Sequence, residues 1–342
     1  MTANGEKQKK FNGRVAIVVI MCCIVSFFAG AACVYYGMPD TKKASAENSV
    51  GPESVNGKKQ SKSERKSADK NAEENKRLAR LAEDMDELFT SRHKGAVLSL
   101  YIEDLDTGVH AVLRNQKMNS ASMIKLFIMQ AVYDDCEKNG AELTQEEKQM
   151  LHKMIAKSDN KCANYFVDKY GGENEKRKIT ENNGINRVIA ESGYSNTELN
   201  RKMHDVTPPE GPSGYENYTS VCDVAKLLRG IYKKELLGSP YDEIMLSTLL
   251  DQKRTNKIPF KIKQKYPTVR IANKTGELSQ TENDAAIIMG SGYNYIFVVM
   301  TDNIPKKENS DTDYKEKERV CETISDMGLM LLESNSPSDK LQ

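Results

Sequence analysis

The hydrophobic and polar positions divide the chain into an apolar run, a polar stretch and a longer region with helical and strand periodicity. Val15 to Tyr36 is a run of 22 residues without a charged side chain. At about 1.5 Å per residue, a helix of that length crosses the roughly 30 Å hydrocarbon core of a bilayer. Lysines and an arginine lie in residues 1–14, which predicts a cytoplasmic tail and an uncleaved single-pass membrane anchor. The alternatives are cleavage after Ala29 to Ala32 and lipid attachment at Cys33, and all three place the remaining chain outside the cytoplasm.

A polar segment follows the apolar run. Residues 40–77 contain no aromatic residue, leucine or isoleucine and are rich in serine, lysine, glutamate, asparagine and glycine. A segment of this composition cannot bury enough apolar surface to fold. We therefore expect residues 37–74 to be a disordered linker, residues 75–334 to form one folded domain, and residues 335–342 to be a tail.

The folded region carries both periodicities. Strand-like runs occur near its start and near its end, and they lie at 96–102, 109–113, 268–274, 284–289 and 295–301. Between them apolar residues recur at helical spacing, as in the helix opened by Ser220 with Asp223 at its capping-box position. Strands at both ends with helices between them predict an α+β fold, in which helices flank an antiparallel β-sheet.

Composition and charge exclude several classes of protein. The chain has 50 basic and 49 acidic residues and a net charge of +1, which argues against a nucleic-acid-binding protein. Three of its seven cysteines lie in the apolar run and the other four are scattered, without C-x-x-C spacing, and its four histidines form no metal-ligand pattern. We therefore expect buried free thiols, no metal and no cofactor. We also expect the protein to be a monomer.

The candidate chemistry centres on Ser122 and Lys125. These residues are one helical turn apart at the start of an apolar helix, so their side chains project from the same face. If Ser122 lies in the first turn, backbone N–H groups and the positive end of the helix dipole lie beside its hydroxyl. An acyl-transfer enzyme needs these three features: an oxygen nucleophile, an amine that can take its proton, and a site that stabilises negative charge.

The Ser-x-x-Lys spacing alone is a weak signal, because it occurs five times in this chain. The occurrence at Ser122 is distinguished by two motifs that follow it. Ser158-Asp159-Asn160 lies between two helical runs, and Lys274-Thr275-Gly276 ends a predicted strand. Taken singly, these tripeptides also suit a turn or a strand end. The ordered set of three resembles the motifs of class A serine β-lactamases and penicillin-binding proteins, as does the run Lys125-Leu126-Phe127.

The resemblance implies a role for each residue that would move a proton. Ser122 is the nucleophile and Lys125 its base, while Ser158 relays the proton to the leaving nitrogen. Lys125 can act as a base near neutral pH only if its pKa is lowered by burial and by a second cation. Lys274 is the candidate for that cation.

The same resemblance implies how a substrate is held. Asn160 is expected to bond the substrate amide, and Lys274 and Thr275 are expected to bind a carboxylate. Gly276 would let the substrate backbone lie against the strand edge. The backbone N–H groups of the nucleophile and of Glu277 are expected to form the oxyanion hole.

The interval between the first two motifs departs from the family pattern. The stretch from Ser122 to Ser158 is shorter than in typical members. Because helices of the all-helical lobe come from this part of the chain, we expect that lobe to be reduced.

A second departure concerns the release of the acyl group, for which the family uses a loop glutamate that activates water. Aligning Leu199-Asn200-Arg201 with the family's Leu-Asp-Arg puts Met203 at the position of this glutamate. Aligning Glu198-Leu199-Asn200 with its Glu-Leu-Asn puts Asn196 there. Neither alignment supplies a glutamate, and the remaining candidates for a substitute base are Asp205, His204 and Glu210.

The sequence thus predicts a membrane-anchored, extracytoplasmic serine hydrolase of the class A β-lactamase type. It would form an acyl-enzyme at Ser122 with β-lactams or related cell-wall peptides and would release the acyl group slowly. A peptidase acting on D-Ala-D-Ala-type stem peptides is the alternative within the same fold. A non-catalytic module that binds cell wall or penicillin is the alternative from another class, and mutation of Ser122 separates it from an enzyme.

Overall fold

A five-stranded antiparallel sheet forms the centre of the domain. The computed structural model describes residues 62–172, 178–204, 216–290, 292–305 and 310–334. The order of the sheet is β2-β1-β7-β6-β5, and a separate two-stranded sheet pairs β3 with β4. The strands are β1 Val97–Asp104, β2 His110–Leu113, β3 Met118–Asn119, β4 Tyr218–Thr219, β5 Arg270–Leu278, β6 Thr281–Gly290 and β7 Tyr293–Asp302.

Helices lie on both sides of this sheet. A short 3₁₀ turn, Ala121–Met123, connects β3 to the second helix. The helices are α1 Lys62–Arg92, α2 Ile124–Asn139, α3 Gln145–Ala156, α4 Asn160–Lys169, α5 Gly184–Glu191, α6 Val221–Lys233, α7 Tyr241–Leu250, α8 Ile258–Lys265 and α9 Ser310–Glu333. The predicted α+β fold with an antiparallel sheet flanked by helices is confirmed.

The central strands are buried on both faces, which explains their nearly continuous apolar sequences. In β7, Ile296, Val298 and Met300 pack into a core shared with α2 to α7. The alternate residues, including Phe297 and Val299, pack into a second core with α1, α8 and α9. Successive side chains of a strand point to opposite faces, so one strand serves both cores.

Local signals placed most of these elements correctly. Each of the five predicted strand runs lies in or overlaps a strand of the central sheet. Ser220 caps α6 as expected, with its hydroxyl accepting from the Asp223 backbone N–H at 3.3 Å. Helix α8 was not predicted, because its eight residues include three lysines and are too few to show a helical period.

The first helix begins earlier than the predicted domain boundary. Residues 62–74, expected to belong to the linker, form the first part of α1. A lack of large apolar residues argues against burial, yet lysine, glutamate and alanine propagate a helix once its later turns are packed. The predicted anchor, Val15 to Tyr36, lies outside the described residues. Within the described ranges, none of the helices combines the length and apolarity needed to cross a membrane.

The three motifs come from different layers of the domain. Ser122 lies just before α2, Ser158 lies between α3 and α4, and Lys274 lies on β5, the outer strand of the sheet. Only α2, α3 and the short connection between them separate the first motif from the second, so the helical lobe is reduced as predicted. The candidate site therefore lies where this lobe meets the sheet edge.

Candidate active site

Ser122 occupies the 3₁₀ turn that leads into α2. The turn begins with Ala121, whose φ of 47° is unusual for a residue with a side chain. Ser120 anchors the turn, because its backbone N–H and its hydroxyl both donate to the Asn217 carbonyl, at 2.8 and 2.9 Å. Ser122 is therefore held at the helix start by contacts on its N-terminal side, slightly ahead of the expected first α-helical turn.

Gly276 is needed where β5 passes this turn. A Cβ atom built on Gly276 would lie 2.8 Å from the Ser120 carbonyl oxygen and 3.2 Å from both Ala121 Cβ and Met123 Cγ. A Cβ atom only 2.8 Å from a backbone oxygen would overlap it sterically. Any larger residue would therefore displace the turn that carries Ser122. The absence of a side chain at Gly276 thus allows β5 to pass close to the turn that carries Ser122.

The amine of Lys125 lies among four oxygen atoms. Lys125 Nζ is 3.2 Å from Ser122 Oγ, 2.7 Å from the Ser158 carbonyl oxygen, 3.3 Å from Ser158 Oγ and 2.5 Å from Asn160 Oδ1. The two shortest contacts are with oxygens that can only accept. A neutral amine can donate its two hydrogens to them and present its one lone pair to a hydroxyl hydrogen, such as that of Ser122.

This lone pair is present near neutral pH. The Lys125 side chain is fully buried, and burial, followed by the positive charge of Arg254, lowers its pKa to about 7. The ordinary lysine pKa is near 10.4, at which the amine would be protonated and could take no proton. The predicted lowering of the Lys125 pKa is therefore present, but the cation that contributes to it is Arg254 rather than the expected Lys274.

Ser158 lies between two amines. Its hydroxyl is 2.9 Å from Lys274 Nζ and 3.3 Å from Lys125 Nζ, so it connects them. Lys274 is fully buried as well, and burial followed by the charge of Lys125 lowers its pKa. Two buried amines so close cannot both hold a proton without cost. The arrangement therefore suits the movement of one proton along Lys125, Ser158 and Lys274.

The expected carboxylate-binding residues are buried in this structure. Lys274 donates to the Thr275 carbonyl oxygen at 2.7 Å as well as to Ser158. The side chains of Lys274 and Thr275 are 0 and 1 % exposed. Their role in holding a carboxylate stays a prediction. Arg254, whose side chain is 46 % exposed, is a more accessible cation near the cavity.

A small cavity of about 60 Å³ opens beside Ser122. Residues from all three parts of the predicted site line it, together with the loop that follows α5. Its lining includes Ser122, Asn160, Met203, His204, Asn217 and Glu277. Ser122 and Glu277, whose N–H groups are the expected oxyanion donors, thus face one space.

The structure selects one of the two loop alignments. Met203 lines the cavity with Ser122, whereas the Asn196 backbone N–H donates to Asp223 Oδ2 at the start of α6. Of the two candidate positions, Met203 is therefore the one that lies beside Ser122. His204 lines the same cavity, and Asp205 and Glu210 lie outside the described residues.

Two asparagines that sequence reasoning missed fix this loop. Asn164 clamps Met203, with Oδ1 accepting from its backbone N–H at 2.7 Å and Nδ2 donating to its carbonyl oxygen at 2.9 Å. Asn217 Oδ1 accepts from the Arg201 backbone N–H at 3.0 Å. Asn164 could have been suspected, because it lies one turn after Asn160 on the same face of α4.

An ion pair joins Arg201 to Glu216 beside the cavity. Both nitrogens Nε and Nη2 of Arg201 donate to the Glu216 carboxylate, at 3.1 and 2.8 Å. A forked pair of this kind fixes the orientation of both side chains as well as their distance. The ion pair therefore fixes Arg201 and Glu216 relative to each other beside the cavity.

We expect Asn164→Ala to destabilise the domain by about 1–2 kcal/mol, because two hydrogen bonds to the Met203 backbone are lost and that backbone is left partly buried. Denaturant unfolding of the variant and of the unmodified protein measures this change. Asn139→Ala serves as the control, since its side chain bonds Asp135 on the surface. Equal midpoints for the two variants would contradict the clamp.

Comparison with known proteins identifies the family. The chain matches the model of the β-lactamase enzyme family over residues 80–148 and 146–332. The match covers well over half of the chain, and this protein therefore belongs to the β-lactamase enzyme family. No curated protein sequence matches it.

Solved structures share the fold at low sequence identity. The β-lactamase from Sphaerobacter thermophilus DSM 20745 is 20% identical, with a TM-score of 0.58 over 73% of this chain and 96% of that one. PBP-A is 21% identical, with a TM-score of 0.60 over 75% and 96%. An ancestral class A β-lactamase is 18% identical, with a TM-score of 0.59 over 74% and 99%. The resemblance to class A β-lactamases and penicillin-binding proteins is confirmed at the level of the fold.

Proposed function

We propose that this protein is a membrane-anchored serine hydrolase that forms an acyl-enzyme at Ser122 with β-lactams or related cell-wall peptides. The observation that carries the proposal is the position of Lys125 Nζ, 3.2 Å from Ser122 Oγ and within a buried network that lowers its pKa to about 7. A base with a pKa near the working pH is effective in proton transfer.

The reaction follows from these contacts. Lys125 takes the proton of Ser122 as its oxygen attacks the carbonyl carbon, and the N–H groups of Ser122 and Glu277 stabilise the negative charge that develops on the carbonyl oxygen. The proton then passes through Ser158 to the leaving nitrogen as the amide bond breaks. This step leaves the acyl group on Ser122 and returns Lys125 to its neutral form.

Release of that acyl group is the slow step of the proposal. Met203 offers no group that could take a proton from an attacking water, and it is fixed by Asn164 beside the nucleophile. Without a base at the Met203 position, water attacks an acyl-serine ester slowly. PBP-A, which shares this fold, has a mutant characterised as an acyl-enzyme complex with penicillin G.

The location of the enzyme is part of the proposal. Val15 to Tyr36 would anchor the chain in the cell membrane with residues 1–14 in the cytoplasm, and the catalytic domain would lie outside it. A peptidase acting on stem peptides uses the same acylation step, so its distinction from a β-lactamase depends on which acyl group is released. We expect a monomer, since the site is assembled from one chain.

We expect a fluorescent penicillin to label the full-length protein, with the label persisting after free penicillin is removed. Gel fluorescence at successive times measures the label, and intact mass shows its stoichiometry. Ser122→Ala, which loses only an oxygen, should not be labelled, while Ser192→Ala in the helical lobe should behave as the unmodified protein. Rapid hydrolysis of a chromogenic cephalosporin would contradict slow release, and absence of any label would contradict the acyl-enzyme and favour a non-catalytic module.

A further inference from the structure

The carboxylate of Glu277 lies between two cations at the edge of the cavity. Glu277 Oε2 accepts from Arg254 in a short ion pair, and Oε1 is 3.0 Å from Lys257 Nζ. Although burial acts to raise its pKa, Lys257 and Arg254 hold the pKa of Glu277 below its ordinary value. The side chain therefore carries a negative charge at neutral pH.

Lys257 does not depend on Glu277 alone. Its fully buried amine is also 2.9 Å from Glu282 Oε2, and Glu282 is further paired with Lys317 at 2.8 Å. A buried lysine stays protonated when it has an anionic partner, and Glu282 supplies one for Lys257. Lys257 would therefore keep an anionic partner without Glu277, and the ion pair between Glu277 and Arg254 is the contact that needs another explanation.

Arg254 is a solvent-accessible cation that is paired with a residue of the cavity lining, so an incoming anion can reach it. Its side chain is 46 % exposed, whereas Lys274 is fully buried and already donates to Ser158 and Thr275. The charge of Arg254 also acts on both Lys125 and Lys274, so it lies close to the reacting groups. Glu277 neutralises this cation and lines the cavity itself.

We propose that Glu277 is a specificity-determining residue, which makes the cleft favour acyl donors without a free carboxylate beside the scissile bond. An internal peptide amide or an ester fits this preference best, and a donor with a free carboxylate, such as a penicillin, would acylate Ser122 more slowly. A substrate carboxylate would have to displace Glu277 from Arg254 or lie against a like charge. This inference rests on the proposed function, because it concerns the substrate of the same site.

Benzylpenicillin and its methyl ester test this preference, because they differ only in the carboxylate. The measured quantity is the ratio of their acylation rate constants, acid over ester, obtained by intact mass on the full-length protein. We expect Glu277→Gln to raise this ratio by roughly tenfold, since it removes one negative charge from the lining of the cavity at a partly buried position. We expect Arg254→Gln, at an exposed side chain, to lower the ratio and to reverse the gain in the double variant.

The matched control is Asp326→Asn. Asp326 accepts from Arg92 at 2.6 Å and from Lys261 at 2.5 Å, and its 23 % side-chain exposure is close to the 27 % of Glu277, but it lies on α9. Its ratio should equal that of the unmodified protein. A ratio that stays within twofold in Glu277→Gln and in Arg254→Gln overturns the specificity proposal while leaving the acyl-enzyme intact. Absence of acylation by either compound would overturn the proposed function, and this inference with it.

Discussion

Replacing Lys125 by methionine should slow the acylation of Ser122 by about a thousandfold, because general-base catalysis contributes roughly 10²–10⁴ in rate. Methionine keeps the length and burial of the side chain but removes the amine that contacts the serine hydroxyl at 3.2 Å. Initial rates of labelling with a penicillin measure the loss.

The pH dependence of the acylation rate of the unmodified protein also tests whether Lys125 is the base. Lys125 has a lowered pKa of about 7, and it is the neutral amine that accepts a proton. Acylation should therefore fall about tenfold per pH unit below pH 7 and level off above it. In Lys125→Met this dependence should disappear.

Lys161→Met is the control for the loss of acylation rate in Lys125→Met. Lys161 is an exposed lysine that follows Asn160 on α4, and its replacement should leave the acylation rate within twofold. Retention of more than a tenth of the rate in Lys125→Met would show that another group takes the proton. If the pH dependence also survived, the buried amine of Lys274 would be the candidate.

Replacing Met203 by glutamate should shorten the lifetime of the acyl-enzyme by about a hundredfold or more, because it introduces a carboxylate that can activate water beside Ser122. The Met203 backbone is already fixed by Asn164, and its Sδ is 4.0 Å from Asn217 Nδ2. That amide can donate to a carboxylate at the same position. The decay of the fluorescent label after removal of free penicillin measures the lifetime.

The matched variant is Met203→Gln, which has the same shape as glutamate but no basic oxygen. Its label should persist as long as that of the unmodified protein. A Met203→Glu protein that acylates normally but keeps its label would show that the loop holds this side chain away from the ester. Faster release in both variants would instead indicate that loss of the methionine admits water.

The central sheet could be predicted from the sequence, because its signal is local. Alternating residues of β7 serve two cores, so nearly all of them are apolar, and such a run has few other interpretations. The cap at Ser220 is likewise local, since donor and acceptor are three residues apart. The short helix α8 and the helical start at Lys62 carry too little apolar periodicity to be found in this way.

The loop could not be aligned from the sequence. Two overlapping tripeptide matches, at 198–200 and 199–201, place either Asn196 or Met203 at the same functional position. Three-residue matches of this kind do not contain the hydrogen bonds that decide between them. The clamp from Asn164 and the shared cavity with Ser122 come from segments distant in the chain, and they favour Met203.

By itself, the sequence determined the fold class and the chemical groups available, because periodicity and the ordered motifs at Ser122, Ser158 and Lys274 are written in consecutive residues. Only the tertiary structure decided their electrostatic state. The lowered pKa of Lys125 depends on burial and on Arg254, more than a hundred residues away in the chain. Burial and through-space charge are set by packing between distant segments, so no local pattern specifies them.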